Sequence, residues 1–138
     1  MTTTENAALL LGRLLLCAIF VSGGWMKLLA AAATQAAFAK RGLPLPPAAW
    51  AIAVIVELIG GLGILFGLFT RFIAIVLAMW CIATALIAHA DFSDRNMEIH
   101  FFKNLAMAGG FLYVAAVGAG AWSLDGWRRR RAGTPERA

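Results

Sequence analysis

Apolar residues fill this chain in four long blocks, and short polar stretches separate them. The blocks run from about Ala7 to Ala33, Ala48 to Phe69, Phe72 to His89 and Ile99 to Trp122. Each is near the ~20 residues that a helix needs to cross the hydrocarbon core of a bilayer. Period-two alternation persists nowhere and no internal repeat is visible, so the blocks predict helices rather than strands. Leu43-Pro44-Leu45-Pro46-Pro47 cannot continue a helix, which makes Thr34–Pro47 a connection. Thr70-Arg71 makes a tight turn, and 91–98 a polar loop. The expected fold is all-α: a single polytopic membrane domain over 1–138, a four-helix transmembrane bundle with up-down-up-down topology and a basic tail at 123–138.

Composition agrees with this pattern. Of 138 residues, 62% are hydrophobic and 14% charged, against roughly 45–50% and 25% in an average globular domain. So small a fold leaves much of its surface exposed, which weighs against a soluble monomer. The net charge of +5 comes largely from Arg128, Arg129, Arg130 and Arg131. Directly after an apolar block, such a run reads as a juxtamembrane cluster facing the cytoplasm and anionic lipid rather than as a nucleic-acid site. The N-terminus lacks a positive stretch before its first apolar block, so no cleaved signal peptide is expected.

Four spans put both termini on one side. That side and the 70–71 turn hold Arg13, Arg71, Arg128 to Arg131 and Arg137, against Lys27, Lys40, Arg41, Arg95 and Lys103 on the other. The bias favours cytoplasmic termini, with the Thr34–Pro47 and 91–98 connections facing outward. Trp25 and Trp50 then fall near the outer interface and Trp122 and Trp127 near the inner one, while Trp80 is mid-span and is assigned to packing. Gly63-x-x-x-Gly67 and Ala106-x-x-x-Gly110, with Gly60-Gly61, supply small faces for close helix approach within the bundle. Gly23-Gly24 is a kink site by sequence.

A charge inside hydrocarbon needs a partner or a water-filled site. Arg13, Cys17, Phe20, Gly24 and Lys27 form one stripe on the first span, expected to face the bundle interior. Glu57 lies roughly 13 Å deep at 1.5 Å per residue. His100, Lys103, Asn104 and Met107 share a face of the fourth span, and His89 ends the third. Lys27, Glu57, His89, His100, Lys103 and Asn104 therefore all fall in the outer half, from four spans. They define a candidate polar pocket, with Glu57 its deepest acid and Lys27 or Lys103 as counter-charge. The competing reading is an ion-paired network that sets helix register, the lysines snorkelling to headgroups. Arg13 snorkels inward or meets the carboxyl ends of neighbouring spans. Cys17 and Cys81 lie at similar depth; a disulfide or thiol relay is one reading, and buried free cysteine the commoner one. His89 and His100 can approach each other, but no second cluster supports a metal, and no metal site is assigned.

These residues resemble the DoxX family of small bacterial inner-membrane proteins over about Leu10 to Asp125. The resemblance rests on Gly12-Arg13-Leu14 with Phe20-Val21-Ser22-Gly23-Gly24-Trp25-Met26-Lys27, and on Glu57-Leu58-Ile59-Gly60-Gly61-Leu62-Gly63 through Thr70-Arg71. His89-Ala90-Asp91-Phe92 and Phe102-Lys103-Asn104-Leu105-Ala106-Met107-Ala108-Gly109-Gly110 extend it. It implies a four-span inner-membrane protein. Members include relatives of a membrane subunit of a thiosulfate:quinone oxidoreductase, proteins associated with membrane redox or thiol-stress systems, and eukaryotic relatives that look like cargo receptors or assembly chaperones.

Two functional expectations follow. The first is an accessory or quinone-interacting component of a membrane redox system, with quinone as ligand and electrons exchanged through a partner redox protein. The second is a non-enzymatic binder or transporter of a small polar or anionic solute, or an assembly factor holding a membrane client, alone or as a homo-oligomer. Both place the chain in the bilayer.

Overall fold

The computed structural model describes residues 1–133, so Arg137 of the basic tail lies outside the described residues. The chain forms α1 (Thr3–Leu29), α2 (Ala31–Lys40), α3 (Pro46–Val54), a π-helical turn (Ile55–Ile59), α4 (Gly60–Phe66), α5 (Thr70–Ala88), α6 (Arg95–Val117) and α7 (Leu124–Arg131). Among the described residues there is no strand. Three helical segments, Thr3–Leu29, Pro46–Phe66 and Thr70–Ala88, are long and apolar enough to cross a membrane. The first turns of α6 carry Arg95, Glu98, His100, Lys103 and Asn104, which dilute its hydropathy even though it is 23 residues long.

Cross-contacts set the order of packing. Trp50 Nε1 donates to the Lys27 carbonyl and Arg13 reaches the Ile64 and Leu65 carbonyls, so α1 runs antiparallel to the α3–π–α4 segment. Gly60 faces Leu77 and Gly63 faces Ile73, which sets α5 antiparallel to α4. Thr84 meets Asn104 while Arg71 reaches the Ala115 and Val117 carbonyls, making α5 and α6 an antiparallel hairpin. The sequence of directions is up-down-up-down.

α1 is inside-out by the standards of a soluble helix. Its buried residues are Asn6, Arg13, Cys17, Phe20 and Gly24, while Leu11, Leu14, Leu15, Ile19, Leu28 and Leu29 are exposed. That arrangement is stable only where the outer solvent is hydrocarbon. The core is thin: Cys17, Phe20, Ile64, Leu77, Cys81 and Phe111 with small residues between them. Both cysteines are free and buried in it. Gly61 packs on Phe20 and Val21, and Gly110 on Leu16.

Several expectations are corrected. α1 runs unbroken through Gly23-Gly24 and is interrupted instead at Ala30 (φ −105°, ψ 44°). Those glycines serve close approach: a Cβ on Gly24 would collide with the Leu58 backbone in the π turn. The Thr34–Pro47 connection is helical through Lys40, because alanines dominate Ala31–Ala39 and favour helix over loop. Residues 118–122, expected inside the fourth span, instead form a turn beginning at Gly118, with φ 89°. Part of the tail is α7, capped by the Ser123 hydroxyl. Ala106 is exposed and Gly67 is a turn residue, so neither small-x-x-x-small pair acts as a pair.

Candidate functional site

Glu57 sits in the π turn, where the widened backbone carries its carboxylate toward α1 and α5. π turns inside α-helices recur at functional sites. Glu57 is 8% exposed. Its Oε2 lies 2.6 Å from Lys27 Nζ, and its Oε1 accepts from Trp80 Nε1 at 3.2 Å. Gly23 makes room for this pair: a Cβ there would sit 3.2 Å from Glu57 Oε2. Of the two counter-charges expected for Glu57, Lys27 is the partner. Trp80, assigned to packing, instead supplies a hydrogen bond to the acid.

The other predicted residues gather nearby on α5 and α6. The His89 and His100 rings lie 5.1 Å apart, and among the described residues no third ligand makes a metal-holding group with them. Lys103 Nζ lies 2.7 Å from His100 Nδ1. An ammonium only donates, so with Lys103 as donor this Nδ1 is the acceptor. Asn104 is held at both ends of its amide: Nδ2 donates to the His100 carbonyl and Oδ1 accepts from Thr84 Oγ1. His89 Nδ1 is buried without a partner. Outside the helices, the Asp91 carboxyl is held below the usual carboxylate range by the Ser93 hydroxyl and backbone N–H.

A cavity of about 480 Å³ joins these elements. Lys27, Glu57, His89, Lys103 and Asn104 line it, and Trp80 and Thr84 join them. His100 is the one predicted residue off its wall, acting behind it through Lys103. The walls between the polar groups are apolar, with Phe38 from α2, Leu43 from the α2–α3 connection, Ile52 from α3, Ile87 from α5 and Met107 from α6.

At the opposite end, Arg13 is 1% exposed and forms no ion pair among the described residues. Its guanidinium donates to the carbonyls of Ile64, Leu65 and Trp122, the last at 2.6 Å. Ile64 and Leu65 are the carboxyl end of α4, one of the two positions expected for Arg13, and Trp122 lies in the turn after α6. Asn6 Oδ1 accepts from the Ala121 N–H, and Asp125 accepts from the Phe69 and Thr70 backbone N–H groups and the Thr70 hydroxyl. Neither Arg13 nor Asp125 lines the cavity beside Glu57.

The comparisons with known proteins agree with this architecture. The DoxX family model matches residues 8–90. The chain belongs to the DoxX family. Inner membrane protein YqjF of Escherichia coli (strain K12) is 36% identical over 128 residues, covering 91% of this chain and 95% of that protein. Inner membrane protein YphA of the same organism is 37% identical over 123 residues, 85% and 87% of the two chains. No solved structure matches the chain. This DoxX-family chain is an integral inner-membrane protein with an all-helical fold.

Sequence reasoning missed Trp80 as a polar partner, Thr84, Arg41 at the cavity wall and the whole Asp125 latch. Trp80 lies 23 positions after Glu57, on the next antiparallel helix, and that spacing was the available signal. For Arg41 there was none, since its place depends on where the α2–α3 connection folds.

Proposed function

We propose that this DoxX-family protein is an accessory, quinone-interacting component of a membrane redox system, with the cavity as the place where a lipophilic ring enters. α6 serves as the fourth span, the termini lie in the cytoplasm, and the cavity lies in the periplasmic half. Arg128 to Arg131 beside the last span support that orientation.

The observation that carries the reading is a cavity of about 480 Å³ with apolar walls and polar groups converging from α1, the π turn, α5 and α6. Ligand sites of this kind bury most of a small molecule against apolar surface and orient it with a few polar groups. The residues fit a quinone ring: Lys103 offers ammonium donors for a ring oxygen, and Trp80, Ile87 and Met107 offer flat and flexible apolar contact. A quinone, when bound, supplies paired electron and proton carrying to a partner redox protein. The chain's own part is positioning and proton handling. Lys27 and Trp80 hold the Glu57 carboxylate in place, and Glu57 or His89 holds or passes a proton at its oxygen or ring nitrogen.

Purification in lipid-preserving nanodiscs, extraction and mass identification of bound quinone tests this directly. Stoichiometric quinone, lost in Lys103→Gln, is the expected result. Repeated absence of quinone together with no binding on titration removes the reading. A reproducible stoichiometric membrane partner without quinone would leave the assembly-factor expectation in its place.

A further inference from the structure

The charges that line the cavity do not balance. Lys27, Arg41 and Lys103 face it, against the single carboxylate of Glu57, and Glu57 is already taken by Lys27 at 2.6 Å. Among the described residues Lys103 has His100 Nδ1 as its one side-chain partner, which leaves two of its three ammonium donors unused by side chains. Arg41, at the rim, has no carboxylate partner among the described residues. The acids on the 91–98 segment do not line the cavity: Asp91 accepts from Ser93, Asp94 caps α6 at the Asn96 N–H, and Glu98 pairs with Arg95. A half-buried ammonium against mostly apolar walls demands a counter-charge.

We propose that the ligand supplies that charge: the cavity selects a lipophilic ring bearing one ionised oxygen substituent, a carboxylate or phenolate, with the oxyanion between Lys103 and Arg41. This rests on the reading that a lipophilic ring enters the cavity, and narrows it to a charge class, which a quinone meets when its ring bears an ionised hydroxyl. The apolar body lies along Phe38, Ile52, Trp80, Ile87 and Met107, while Lys103 meets the oxyanion by charge-assisted hydrogen bonds and Arg41 closes on it from the rim. The same chemistry, one oxyanion on an apolar body, is also presented by a phospholipid headgroup.

The test measures binding of 2-naphthoate and its uncharged isostere 2-naphthamide to the full-length protein in phosphatidylcholine nanodiscs at neutral pH, by calorimetry and native mass spectrometry. A preference for the anion of about tenfold or more is expected, from the half-buried Lys103 with the exposed Arg41 at the rim. It should shrink to about threefold or less in Lys103→Gln and in Arg41→Gln, with naphthoate losing more affinity than naphthamide in each. Equal binding of the two rings overturns the charge class and leaves the ring reading standing. No binding of either ring also overturns the charge class, while quinone extraction and titration decide the ring reading. A third arm adds phosphatidylglycerol. If it displaces naphthoate competitively, the oxyanion site belongs to lipid headgroup and the free-ring assignment falls. If it does not, the assignment holds.

Discussion

Arg13 and Lys27 stand on the same stripe of α1, two cations on one buried face, yet the bundle treats them differently. Arg13 is enclosed by backbone: carbonyls of Ile64, Leu65 and Trp122 take its guanidinium, and Gly67 leaves the space it fills. Lys27 faces a carboxylate on the wall of a cavity and keeps 29% of its side chain exposed. The planar fork of arginine suits several fixed acceptors at once, whereas lysine is a mobile point charge on a flexible stem. One end of the bundle is therefore a closed structural knot, and the other a site that still has room and charge to spare.

The knot gains from its surroundings. Gly67 turns the chain at φ 67°, and Phe69, at φ 46°, holds a left-handed conformation that non-glycine residues seldom adopt. Asp125 supports that turn from across the bundle by accepting both the Phe69 and Thr70 N–H groups. Thus the segment after the last long helix, which looks like a polar tail, ties the second turn of the bundle to the C-terminal region.

The sharpest way to break the comparison is Arg13→Leu, which strips three carbonyls of their donor. A loss of about 3 kcal/mol or more is expected, read as a large fall in thermal midpoint in detergent, with no dependence on ligand. Next comes Gly67→Ala, in which left-handed backbone and collision with the Arg13 guanidinium and Ser123 combine. About 2 kcal/mol should be lost in the same assay. Asp125→Ala should cost about 1–2 kcal/mol, and faster hydrogen exchange at the Phe69 and Thr70 amides would locate the damage. At the cavity end, Glu57→Gln should leave the protein folded. A Lys27→Met, Glu57→Gln double-mutant cycle should give a coupling of about 1 kcal/mol, discounted for the exposure of Lys27 and falling as salt rises. Smallest in stability is Lys103→Gln, expected within about 0.5 kcal/mol, its effect appearing in binding instead. If Glu57→Gln unfolds the protein as Arg13→Leu does, the two ends are alike and the cavity end is a structural network.

The polar residues inside apolar blocks were legible because hydrocarbon makes each of them costly. Glu57 is too deep to snorkel, so its depth alone asked for a partner. Their shared half of the bundle followed from alternating helix direction. Which partner Glu57 takes was not legible, since Lys27 and Lys103 lie at similar depth, and the choice turns on the π turn and on Gly23 making room. Trp80 was read as packing because an indole in mid-span usually is; its N–H needs an acceptor when buried, and the nearest lay on another helix.

By itself the sequence determined the all-helical class, membrane residence and most of the polar residues that meet at the cavity. These depend on burial cost and span length, quantities local to each block. Only the tertiary structure decided the Lys27–Glu57 pairing, the π turn, the backbone cage of Arg13, the Asp125 latch and the arrival of Arg41 at the cavity. Those depend on helix rotation and close approach, which are set by side chains far apart in sequence meeting in three dimensions, and no local pattern encodes that meeting.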